Sequence, residues 1–193
     1  MAMSEISVTT EQTGKIDRRE LDRLLLAVGT GDREALGQVY GCTRGAVYAA
    51  ALGVLGNHHA AQDVTQDAFV RLWEAAPSYR SQGSPMAWIL TVTRNLALTA
   101  LRQEGRTEGL SPEAWEAIPG GEGPEEAEDR LVLKAAMGAL DETERQVILL
   151  HAVSGLKHRE IAALMDRPLS TVLSKYNRGL KKMKKQLEGE EEA

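Results

Sequence analysis

The stretch Glu104–Pro124, EGRTEGLSPEAWEAIPGGEGP, divides this chain. It is rich in glycine, proline and glutamate and lacks sustained apolar periodicity, which is the composition of a linker between two packed units. Trp115 is its exception, either docked on a neighbour or exposed. A chain of 193 residues broken there leaves two pieces, each the size of a small domain.

On both sides of the break apolar residues recur at helical spacing. Four helices are expected before it. The first runs from about Asp17 to Val28, with Leu21, Leu24, Leu25 and Val28 on one stripe. The second runs from Asp32 to Leu55, the third from His58 to Ala75, and the fourth from Ser84-Pro85 to Arg102, where serine caps and proline opens the helix. Four more are expected after it: about Glu125–Ala139, Asp141–Ser154, Lys157–Met165 and Leu169–Leu187. Asp141 with Glu144 three residues on is a capping-box pattern. Aromatics are 4% of the chain, with a single Phe, while alanine and leucine abound. The fold class expected is all-α: two small helical domains joined by a flexible acidic linker. The boundaries are 1–16 (disordered N-terminus), 17–102, 103–124, 125–187 and 188–193 (acidic tail).

Several classes of function fall away. One cysteine, Cys42, cannot build a disulfide framework or a cysteine-rich zinc site; it reads as a small buried residue of the second helix. His58 and His59 are adjacent and point about 100° apart on a helix, which suits no shared metal. No phosphate-cradling glycine loop or nucleophile elbow occurs. No catalytic residue, metal or cofactor is expected, and the chain does not read as an enzyme. The absence of a long apolar run and of a signal-peptide core points to a cytoplasmic protein without membrane insertion.

The net charge of −5 conceals a division. Residues 103–129 carry −8, residues 157–185 carry +7 and the last eight carry −4. A local +7 in an acidic chain marks one basic surface, for nucleic acid or simply for solvent. The spacing around it is informative. A short helix, the break Asp166-Arg167-Pro168 and a last helix with Val172, Tyr176, Leu180 and Met183 on one stripe make a helix-turn-helix. Its outer face carries Ser170, Ser174, Asn177, Arg178 and Lys181. Arginine and asparagine can address base edges, while serine and lysine can hold phosphates. The bland reading is a helical hairpin with a basic face.

In the first unit, Asp63, Gln66, Asp67 and Val70 share one face of the third helix, beside the pair Phe69 and Trp73. Aromatics next to outward carboxylates suit a partner-binding helix, in which buried rings supply affinity and rim carboxylates steer a basic partner. The alternative is one aromatic in the core and a solvated acidic face. The loop Tyr79, Arg80, Ser81, Gln82, Gly83, Ser84 precedes a helix on which Thr91, Arg94, Asn95, Thr99 and Arg102 form a polar strip. Single-stranded bases are bound by aromatic stacking and by hydrogen bonds from loops. Trp88 on that helix is by default a core residue.

Together these segments resemble a known family. DVTQDAFVRLWEAAPSYR, MAWILTVTRNLALTALR, LDETERQVILLHAVSGLKHREIAALM and STVLSKYNRGLKK are similar, in order and spacing, to an extracytoplasmic-function (ECF) sigma factor of bacterial RNA polymerase. The resemblance covers residues 17–102 (region 2) and 125–187 (region 4). It implies that Asp63, Gln66, Asp67, Phe69 and Trp73 meet the β′ clamp helices of core polymerase. It implies that Tyr79–Ser84 capture a −10 base, and that Trp88, Arg94, Asn95 and Arg102 bind and open the −10 element. It places Ser170, Thr171, Leu173, Ser174, Lys175, Asn177, Arg178 and Lys181 on the −35 recognition helix. Its implied partners are core polymerase (β′ clamp helices and β flap), promoter DNA and an anti-sigma factor. Pro168, Leu173, Leu180 and Lys157 depart from the usual family residues. The competing reading is a helix-turn-helix regulator that binds duplex DNA without entering polymerase; it leaves the third helix unexplained.

Overall fold

The structure is a computed structural model and describes residues 16–81, 83–104 and 136–190, with side chains left undescribed at 104, 189 and 190. Its helices are α1 (Arg18–Gly29), α2 (Arg33–Leu55), α3 (His58–Ala75), α4 (Pro85–Glu104), α5 (Glu142–Ala152), α6 (His158–Leu164) and α7 (Leu169–Glu190), with a 3-10 turn at Ala76–Ser78. No strand occurs among the described residues. The helix expected at 125–139 lies mostly outside them, as do the linker, Trp115 and Gln82.

The helix starts follow local chemistry. Asp32 accepts from the backbone N–H of Glu34 and Ala35, and Asn57 from that of Ala60. At α5 the capping box is complete: Asp141 Oδ1 accepts from Glu144 N at 2.9 Å, and Glu144 Oε2 accepts from Asp141 N at 3.0 Å. Lys157 has no acceptor with which to cap α6, so Glu160 supplies the reciprocal half alone, accepting from Lys157 N at 2.8 Å. The helix α2 runs unbroken through Gly41 and Gly45 because tertiary burial of its second half outweighs their weak propensity.

The first unit packs α1, α3 and α4 around α2. The stripe Leu21, Leu24, Leu25 and Val28 is buried as expected, against Val39, Leu72, Ile89 and Leu90. Where α1 ends, an added Cβ on Gly29 would lie 2.7 Å from the carbonyl oxygen of Ala76, a backbone atom that cannot swing away. Gly29→Ala should therefore destabilise the chain by about 1–2 kcal/mol, within the range for overpacking, read as a fall in the urea midpoint at unchanged slope.

The second unit packs α5, α6 and α7 together. Buried Glu144 ties α5 to α7 by accepting from Lys182 Nζ at 2.7 Å, and Asp141 does so through Lys175 Nζ at 2.6 Å. Burial would raise the Asp141 carboxyl, but the hydrogen bonds from Lys175 and from Glu144 N hold it below its ordinary value.

The two units also pack on each other, α2 against α5 and α4 against α6. Small residues allow this: Ala49, Ala50 and Gly53 of α2 meet Gln146 and Leu150 of α5, with Leu90 and Leu164 beside them. One apolar cluster runs continuously from Leu21 through Leu90 to Val147 and Ile161.

Candidate nucleic-acid and polymerase interface

On α3 the polar face is free. Asp63, Gln66 and Asp67 are exposed, and Val70 beside them is 61% exposed. Phe69 departs from the expected partner-facing pair: it is buried, its ring edge-on to Tyr40 at 4.7 Å. Its position, about 100° round the helix from Val70, hands it to the apolar core of the first unit. Trp73 remains half-buried and borders an open groove with Arg33, Leu36, Phe69 and Val70. Apolar surface beside carboxylates therefore survives in the fold, carried by Trp73 and Val70.

The loop after the 3-10 turn is more built than its composition suggests. Tyr79 is not a free stacking platform, because its ring is buried and rests on Trp88 at 4.8 Å. Its hydroxyl donates to Asp22 Oδ1 at 2.5 Å, and burial together with that carboxylate raises the phenol above its ordinary pKa. Ser81 Oγ donates to Asp22 Oδ2 at 2.5 Å, and Arg18 Nη2 donates to the carbonyl of Gly83. Arg80 Nη1 donates to the carbonyls of Tyr79 at 2.8 Å and Pro77 at 3.2 Å. Gly83 has φ +81°, a left-handed conformation in which a side chain would be strained. Ser84 caps α4, accepting from Ala87 N at 3.4 Å. Asp22 and Arg18 escaped the sequence reading, since they lie 57 and 65 residues before their partners and no local pattern marks them.

Along α4, Asn95 and Arg102 are exposed and Trp88 is half-buried, while Arg94 departs from the outward strip. It faces the second unit, half-buried, and its Nε has no hydrogen-bond partner among the described residues. Burial and the nearby Arg167 lower its pKa, against the opposing pull of Glu142 and Asp166. The packing of α6 on α4 is the reason.

On α7, Ser170, Leu173, Ser174, Asn177, Arg178 and Lys181 are exposed, as a recognition helix requires. Thr171 is half-buried, and Lys175 is turned inward to Asp141. Val172 is buried and Tyr176 and Met183 are partly so, but Leu180 leaves the expected core stripe and is 42% exposed. It stands on the flank of the helix, in register with exposed Leu173 and Leu187. Cys42, read as buried, is exposed, its Sγ donating to Gln38 O at 2.7 Å.

The helix-turn-helix core carries a ring cluster. His151 and His158 stack at 4.5 Å, and Tyr176 meets both edge-on at 5.0 and 4.6 Å. Burial, with His151 beside it, lowers the pKa of His158 below its ordinary 6.5. The folded state thus binds fewer protons here than the unfolded state, so this contribution is complete above pH 6.5 and declines as pH falls below it. Thermal melts should drop between pH 7.5 and 5.5, and His158→Gln should lessen that drop.

Among the described residues no group of His, Cys, Asp or Glu could hold a metal, and no helix is long and apolar enough to cross a membrane. Comparison with known proteins agrees with the geometry. Residues 39–107 match the model of sigma-70 region 2, and residues 130–183 that of sigma-70 region 4. The chain is 33% identical over 145 residues to the ECF RNA polymerase sigma factor SigE of Mycolicibacterium smegmatis, covering 72% of this chain and 56% of that relative. It is 28% identical over 172 residues to an ECF sigma factor SigK of a Mycobacterium species, covering 86% and 89%. Among solved structures, CnrH in complex with the cytosolic domain of CnrY aligns at a TM-score of 0.63 with 24% identity, covering 88% of this chain and 98% of that one. The sigma factor RpoE of Bartonella quintana, in complex with the anti-sigma factor NepR, aligns at 0.61 with 22% identity, covering 79% and 96%. With matches to both sigma-70 regions in order, on a helical fold shared with sigma factors, the chain belongs to the ECF family of RNA polymerase sigma factors.

Proposed function

We propose that the chain docks on core RNA polymerase through α3 and directs promoter-specific initiation, reading the −10 element with the 79–84 loop and α4 and the −35 element with α7. It acts as a non-catalytic initiation factor in the cytoplasm, with residues 17–102 and 125–187 as its working units. The observation that carries this reading is the free acidic-apolar face of α3, with Asp63, Gln66, Asp67, Val70 and Trp73, in the same chain as the basic, exposed face of α7. A duplex-binding regulator would use only the second. Core binding favours burying the indole and the valine, and the carboxylates steer a basic helix pair toward them.

In the closed arrangement Arg94 is partly covered by the second unit, so DNA opening by α4 requires the units to separate. An anti-sigma factor, the kind of partner bound to the RpoE relative, would act by holding this chain away from polymerase. The test is capture of core polymerase by the full chain. Tight, saturable binding supports the reading, and duplex binding without any affinity for core rejects it.

A further inference from the structure

The loop after Tyr79 presents a puzzle of energetics. Arg80, Ser81 and Gly83 are exposed and polar, so no apolar burial fixes their shape. An unfixed loop would have to be ordered by the base it captures, at an entropic cost subtracted from binding. Yet this loop is tied at three points to one helix. Asp22 takes the hydroxyls of Tyr79 and Ser81 on its two oxygens, and Arg18, one turn earlier on α1, holds the carbonyl of Gly83.

Resting on the sigma-factor reading, we propose that Asp22 is a positioning residue for −10 base recognition, fixing Tyr79 and Ser81 of the recognition loop before DNA arrives. Recognition of a base requires donors and acceptors placed to within about 0.5 Å, and supporting contacts rather than the contacting groups supply that precision. Asp22 has the character such a support needs. The hydrogen bonds from Ser81 and Tyr79 hold its carboxyl below the ordinary range, so it stays an ionised double acceptor at neutral pH. Both its oxygens are engaged, and a carboxylate facing phosphates would repel them, so it acts through the loop and not by touching DNA. The anchoring is also separable from the fold. The helix α1 is held by Leu21, Leu24, Leu25 and Val28, and the Tyr79 ring by Trp88, with or without the carboxylate.

The experiment uses the full chain with core polymerase on promoters that differ only in one −10 base at a time, four bases per position. For Asp22→Ala, the ratio between preferred and disfavoured base at the captured position should fall about tenfold, as expected for loss of two charge-assisted hydrogen bonds. Core affinity should stay at the wild-type value, while the melting temperature falls by no more than a few degrees, the cost of the lost hydrogen bonds to the fold. Tyr79→Phe keeps the ring and removes one tie, so it should lower the same ratio by less, and it carries the test should Asp22→Ala fold poorly. An unchanged ratio in both variants overturns the proposal, as does an equal fall on every promoter with the ratio intact, which would make Asp22 a structural staple. A wild-type chain that shows no base preference with core overturns the sigma-factor reading beneath it instead.

Discussion

Trp73→Ala is expected to weaken binding to core polymerase about tenfold, and Asp67→Arg up to about a hundredfold, the span of interface hot spots. The two act differently. Trp73 is half-buried beside the exposed Val70, so its loss removes apolar area that a partner would cover. Asp67 is exposed on the outer face and makes no ion pair or hydrogen bond among the described residues, so its reversal leaves the fold intact while opposing a basic partner. Phe69→Ala serves as the contrast. Because Phe69 is buried against Tyr40, it should lower stability first and core affinity only as a consequence. A helix α3 that tolerates both Trp73→Ala and Asp67→Arg without change in core affinity has been assigned the wrong partner.

The second large effect is expected at the recognition helix. Arg178 is exposed, one turn after Ser174, whose Oγ accepts from its Nη2 at 3.4 Å. Arg178→Ala should lower transcription from promoters with an intact −35 element by about 1–3 kcal/mol equivalent, and change helix content not at all. Tyr176→Ala should behave oppositely. Its ring meets both His151 and His158, so its loss loosens the packing of α7 on α5 and α6 and lowers the melting temperature. A DNA-specific defect in Tyr176→Ala with a normal Arg178→Ala would invert the assigned face.

What the sequence disclosed and what it withheld follow one rule. Features set within a turn or two of helix were legible: the Asp141–Glu144 capping box, the Ser84 cap, the stripe Leu21 to Val28 and the outward Ser170, Asn177 and Arg178. Features that depend on which element lies opposite were not. Phe69 and Tyr79 looked available until Tyr40, Trp88 and Asp22 came to meet them. Arg94 and Lys175 sit at positions that a helical wheel draws outward or leaves open, and the neighbouring helix decides otherwise. Leu180 errs the other way: its spacing joins it to the core stripe, but Gly179 and Met183 take the places against α5 and leave Leu180 on the exposed flank. The grip of α1 on the 79–84 loop spans 57–65 residues, and no periodicity could reveal it.

On the function proposed above, one chain joins a polymerase-docking face to promoter-reading faces. Run-off transcription with purified core polymerase tests it most directly. Defined transcripts are expected from promoters bearing matched −35 and −10 elements, lost on Asp67→Arg and reduced by Arg178→Ala. Retention of duplex binding with no transcript from any promoter, and no difference between wild type and Asp67→Arg, would contradict it.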